Sequence, residues 1–202
     1  SLTQRVVKEV LEHLPDFVII ADVPDVSQEI LDKLKESAKV LIIDHHKPVD
    51  VKGVTYCNPR VYDEEIYLPT SYLAYKIYRN FYPSKKALWI SAAGILADHG
   101  VRNCRDIFFE LRKKFPELIG RADINEDSLF KFSLLGRIVK ILDASQIYNG
   151  KKGAEFASRF LLKVESYEEL LQGVGREAHL LLRWLSEVER EFHRVWKDFK
   201  KN

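Results

Sequence analysis

A chain of 202 residues that is 46% hydrophobic and 31% charged, with only 9 Gly and 7 Pro, describes one compact, helix-rich domain or a domain with an appendage. That composition excludes disordered, collagen-like and low-complexity classes. Lys plus Arg (32) against Asp plus Glu (30) leaves a formal net charge of +2, so no global basic field marks the chain for nucleic acid, and any such surface must be local. The longest apolar run, Ala87 to Ala97, falls short of the roughly 18–20 residues that cross a bilayer, and no signal-peptide pattern opens the chain. A soluble, cytoplasmic protein with no membrane partner is the expectation. Cys57 and Cys104 stand far apart without paired spacing, so they read as ordinary buried thiols rather than a disulfide or a zinc site. Methionine is absent even at position 1, which suggests a processed or excised product lacking upstream sequence.

In chain order, Leu2 to Leu14 repeats apolar residues at a helical period and stops at Pro15. Phe17 to Ala21 (FVIIA) is a short, β-branched apolar run that predicts a buried strand. Asp25 or Ser27 can cap a second helix through Leu34, and Lys39 to Ile43 (KVLII) predicts a second buried strand, giving a parallel βαβ unit. Val54 to Cys57 is a weaker third strand, and Asn58 to Pro69 a polar, proline-bounded loop. From Thr70 the pattern is helical: Thr70 caps a segment to Phe81, Ser84 caps an apolar helix through Ala97, and further helices fit about 104–114, 126–143 and 153–162. Ser166 with Glu169 forms a capping box, and a long amphipathic helix runs from about Arg176 to Lys200, with Leu180, Leu181, Trp184, Leu185, Val188, Phe192 and Trp196 on one stripe. Two or three parallel strands are few for a sheet covered on both faces, so at least one strand is expected to be absent from this chain.

Ligands of open α/β sheets bind beyond the carboxyl ends of the strands. There the first strand offers Asp22, with Asp25 three residues on, and the second offers Asp44, His45 and His46. Parallel strands bring both clusters to one sheet edge, about 5 Å apart if adjacent. Carboxylates and neutral imidazoles at that separation suit a divalent cation such as Mn²⁺ or Mg²⁺. Taken singly, Asp22 and Asp44 also read as turn or capping residues. Paired imidazoles directly after a buried strand and an Asp are harder to explain that way. Asp98 closes the apolar helix in AAGILADHG, where the macrodipole disfavours a carboxylate, so a cation, Arg102 or Arg105 should compensate it.

Asp-His-His after a strand, an Asp ending the preceding strand and a later Gly-x-x-x-Asp at Gly94 to Asp98 resemble the second, third and fourth motifs of the DHH phosphoesterase superfamily. Ile141 to Leu162, followed by a short capped helix and a long charged one, is similar to the segment linking the two lobes of RecJ-type single-strand exonucleases and their archaeal relatives. The resemblance implies an α/β fold, a parallel sheet with flanking helices, with a partial DHH domain over residues 1–175 lacking its first strand and motif, and a connector helix over 176–202. It implies a two-metal phosphoesterase using Mn²⁺ or Mg²⁺ on single-stranded nucleic acid. In that pattern Asp22 bridges the metals, His45 and Asp98 complete the second, His46 faces the scissile phosphate, and Asp44 orients a histidine.

The chain also departs from the pattern. No Asp-x-Asp-Gly-like first motif precedes Asp22, so only half of a metal pair can be assembled. Where relatives often read Asn-Ala-x-Arg, this chain reads Asp143, Ala144, Ser145, Gln146, without the substrate-binding Arg. Two alternatives therefore stay open: a catalytically incomplete replication-helicase scaffold binding the GINS complex, and a small-nucleotide phosphatase or pyrophosphatase. Lys151 to Gly153 read as a solvated turn or a phosphate cradle, and Tyr72, Tyr75, Tyr78, Phe81 and Tyr82 as core packing or base-stacking rings.

Overall fold

The computed structural model describes residues 2–82 and 84–200, which divide into two compact units, residues 1–83 and 84–202. The first unit opens with helix α1 (Gln4–Leu11), capped by Thr3, whose hydroxyl accepts from the Val6 amide. It continues with strand β1 (Phe17–Ala21), helix α2 (Gln28–Lys35), strand β2 (Lys39–Ile43), strand β3 (Thr55–Cys57), a 3₁₀ turn (Pro59–Val61) and helix α3 (Thr70–Tyr78). Of the two candidate caps for α2, Ser27 makes the bond, accepting from Ile30.

The three strands are parallel in the order β1-β2-β3. Their register pairs Ala21 with Ile43 and Ile43 with Cys57, so the carboxyl ends are level. Alternation sends Ile20, Val40 and Ile42 into a core with Val7, Val26, Ile30, Leu31 and Leu34 of the α1–α2 side. On β1, which pairs only with β2 among the described residues, the opposite face leaves Phe17 and Ile19 more than half exposed.

The second unit is helical: α4 (Lys85–Ala97), α5 (Arg105–Lys114), α6 (Pro116–Ile119), α7 (Glu126–Phe132), α8 (Leu134–Lys163), α9 (Tyr167–Gln172) and α10 (Gly175–Phe199). Helix α4 is apolar on every side, and Leu88, Trp89, Ile95 and Leu96 are all buried. The expected single helix over 126–143 is two, because Ser133 adopts extended backbone and caps α8 by accepting from the Gly136 amide. Lys151 to Gly153 lie inside α8, beyond a kink where Asn149 and Gly150 leave helical geometry. The Ser166–Glu169 capping box forms as expected. On α10 the predicted stripe splits: Leu181 and Trp184 are buried, with Trp184 against the rings of Tyr148 and Phe156, whereas Phe192 and Trp196 are exposed. No described helix is long and apolar enough to cross a membrane.

The kink folds the second half of α8 onto its first, and the contact is so close that a Cβ at Gly153 would sit 1.8 Å from the Ser145 carbonyl oxygen. At Gly150, φ is +54° but a Cβ would meet nothing. Gly153→Ala should therefore cost about 3 kcal/mol through forced displacement of backbone, and Gly150→Ala only about 1–2 kcal/mol from its left-handed φ. Urea unfolding of the two variants measures the difference, and equal costs would contradict the close-packed kink.

Candidate metal centre

The level register of the sheet builds the site. The Asp22 amide donates to the Ile43 carbonyl at 3.0 Å and the Asp44 amide to the Cys57 carbonyl at 3.1 Å, extending each ladder one residue past its strand. Asp22, Asp44 and Asn58 therefore stand in a row at one edge of the sheet.

Asp44 is buried, and a buried carboxylate needs donors. Both come from His46: its backbone N–H donates to Oδ2 at 3.0 Å, and its ring Nδ1 lies 2.8 Å from Oδ1. A carboxylate at Nδ1 selects the tautomer with the proton there, which leaves the lone pair on Nε2. His45 is buried beside it, the two rings 4.4 Å apart and inclined at 62°, with the Tyr67 ring 5.2 Å away on another side. His45 Nε2 lies 3.4 Å from Asp22 Oδ1. Asp22, whose side chain is 58% exposed, has φ +60°, a left-handed conformation that Asp tolerates better than most residues but that still carries strain. Its Oδ1 accepts from the Thr70 hydroxyl at 2.9 Å.

One ligand atom from each of Asp22, His45 and His46 falls within a mutual 4.8 Å. A carboxylate oxygen and two imidazole nitrogens, backed by a second carboxylate, form a donor set that fits a divalent cation. Cys57 ends β3 in the same neighbourhood of the sheet, but burial pushes its thiol above the ordinary value, so it is a neutral thiol at physiological pH rather than a thiolate.

Asp98, the remaining metal candidate, lies in the second unit as the C-cap of α4, its amide donating to Gly94. The residues after it close the helix: His99 takes φ +54° while its amide donates to Leu96 and that of Gly100 to Ile95, a Schellman arrangement with His where Gly is usual. Of the aromatic series on α3 and beyond, Tyr75 is buried, whereas Tyr78, Phe81 and Tyr82 are exposed.

Two residues escaped the sequence reading. Asn58 is 3% exposed, and its Nδ2 donates to the His46 carbonyl and to the Tyr56 hydroxyl, both at 3.0 Å, while its Oδ1 accepts from the Arg60 amide. It clamps the loop that carries both histidines. The other is Thr70, which does not cap α3; Pro69 occupies that position. Asn58 follows β3 directly, as Asp22 and Asp44 follow β1 and β2, so the same position relative to a strand marks it in the sequence. Nothing local in the sequence announces the bond of Thr70. Beside the clamp, a cavity of about 630 Å³ is lined by Lys47, Asp50, Tyr56, Arg60, Tyr62 and Glu64, among others.

No family model matches the chain, and no curated protein matches it. Solved structures do. A crystal structure of exonuclease RecJ bound to manganese superposes with a TM-score of 0.63 and 17% identity, over 98% of this chain and 53% of that one. RecJ from Thermus thermophilus in complex with Mn²⁺ gives 0.60 and 17%, over 95% of this chain and 31% of that one. The chain thus has a RecJ-like α/β fold, and spans about half or less of the length of either structure.

Asn58→Ala would remove the side-chain donor to the His46 carbonyl and one of two donors to the Tyr56 hydroxyl, both on half-buried residues. A loss of about 2 kcal/mol is expected in urea unfolding, and an unchanged midpoint would show that the clamp carries no load.

Proposed function

We propose that the chain is the core of a metal-dependent phosphoesterase that hydrolyses single-stranded DNA or RNA, with Asp22 and His45 as Mn²⁺ or Mg²⁺ ligands. The observation that carries this is the convergence of Asp22, His45 and His46 at the carboxyl edge of a parallel sheet. The RecJ-like fold, with Mn²⁺ in both solved structures, supports it. The family pattern adds Asp98 to the ligand set.

A bound divalent cation would polarise a phosphoryl oxygen and lower the pKa of a water toward neutrality. The chain's own residues prepare the rest. Asp22 and Asp44 make the edge negative, which favours cation over anion until the charge is neutralised. Asp44 fixes the proton of His46 on Nδ1, which leaves the Nε2 lone pair to accept from a water or to meet a cation at the edge. Asn58 holds the backbone from which that ring projects. The neighbouring cavity, with Lys47 and Arg60 among its lining groups and the Tyr56 and Tyr62 rings beside them, is large enough for one nucleotide.

Calorimetry with Mn²⁺ should show binding that weakens by more than about tenfold in Asp22→Ala and His45→Ala, and Asp98→Ala tests the added ligand in the same way. A chain that also carries the first motif should degrade labelled single-stranded oligonucleotides to mononucleotides only when Mn²⁺ is present, whereas these 202 residues alone should show little hydrolysis. Unchanged affinity in both Asp22→Ala and His45→Ala would overturn the metal assignment. Intact affinity with no oligonucleotide binding would move the reading to a small-nucleotide phosphatase if short nucleotides are hydrolysed, and to a GINS-binding scaffold if they are not.

A further inference from the structure

Threonine at the N-cap of a helix accepts a backbone N–H through its hydroxyl. Thr70 begins α3 without doing so, because the N-cap is Pro69. Its hydroxyl instead crosses to the end of β1 and donates to Asp22 Oδ1 at 2.9 Å, between residues 48 positions apart. Thr70 is 7% exposed, whereas the Asp22 side chain is 58% exposed. This inequality is informative. A solvated carboxylate needs no protein donor, since water satisfies it at no cost, so what a buried hydroxyl adds is orientation.

We infer that Thr70 is a positioning residue for the metal centre, its hydroxyl holding the Asp22 carboxylate in the orientation that ligates the cation. The inference rests on the reading of Asp22 as a ligand given above. Three restraints act on Asp22. The left-handed backbone at φ +60° redirects its Cβ, the amide bond to Ile43 fixes the backbone at the sheet edge, and the Thr70 hydroxyl fixes the carboxylate. The oxygen that Thr70 grips is the one 3.4 Å from His45 Nε2, so the hydroxyl sets how closely carboxylate and imidazole approach each other. One hydroxyl proton occupies one of about four acceptor positions on a carboxylate, which leaves Oδ2 and the second lone pair of Oδ1 for a cation. Groups that orient metal ligands in this way typically alter affinity by about 10–100-fold when removed.

Thr70→Val keeps the β-branched shape and deletes the donor. Calorimetry of the full chain should give Mn²⁺ affinity lowered by about tenfold, with the melting temperature in EDTA unchanged, because Asp22 stays hydrated. Thr70→Ser should restore the affinity. A hydroxyl that merely tied α3 to the sheet would instead change the melting temperature and leave metal affinity alone. Wild-type affinity in Thr70→Val, or a loss that Thr70→Ser does not restore, overturns the assignment. Asp22→Asn is measured alongside: if it too binds like wild type, the metal reading itself fails, whereas if it alone loses affinity, that reading stands and only the role of Thr70 falls. Should Thr70→Val not fold, Thr70→Ala is read by the same criteria.

Discussion

The parallel register of β1, β2 and β3 is the constraint on which the first unit depends. Ala21, Ile43 and Cys57 are paired across the sheet, so the residue that follows each strand emerges level with the others. A slip of one residue in β2 would turn Ile42 out of the core and displace Asp44 from the row. The hydrophobic alternation that buries Ile20, Val40 and Ile42 against α1 and α2 thus fixes, in the same step, the position of the polar groups at the edge. Packing sets the geometry of the site at no separate cost.

The energetic problem of that edge is Asp44, a carboxylate 2% exposed. Unpaired, it would destabilise the loop, since charge is costly to remove from water. Two donors from His46 resolve this, and in doing so they commit the imidazole to one tautomer and one direction. Asn58 completes the arrangement from β3 by holding the His46 carbonyl. Asp22 has the opposite character: exposed, in a left-handed conformation and oriented by Thr70. The site therefore combines one carboxylate used to fix a ring with another left open to solvent and ligand.

Much of this is legible in the sequence. The apolar runs FVIIA and KVLII mark strands with the observed bounds, but only KVLII is largely buried as expected; FVIIA, with β2 as its one partner among the described residues, buries Ile20 alone. Asp22, Asp44, His45 and His46 stand out because they follow those runs. The caps at Ser27, Ser84 and Ser166 are equally plain, since a side-chain oxygen there precedes a helical period. Thr70 misleads the same rule, because its hydroxyl is committed to a residue distant in sequence and local chemistry does not reveal it. The division at Ser133 is hidden because the apolar period continues through it, whereas the kink at Asn149–Gly150 falls in the polar stretch left between the helices expected over 126–143 and 153–162. Exposure of Phe192 and Trp196 is just as invisible, because periodicity marks a stripe but not what covers it.

Asp22 and His45, with His46 beside them, stand where a divalent cation would bind. Anomalous diffraction from crystals grown with Mn²⁺, recorded at the manganese absorption edge, tests this without reference to activity. A peak is expected within about 2.5 Å of both the Asp22 carboxylate and His45 Nε2, a normal coordination distance for a hard divalent ion. A fully occupied peak elsewhere, or none at millimolar Mn²⁺ with the cluster intact, would contradict it.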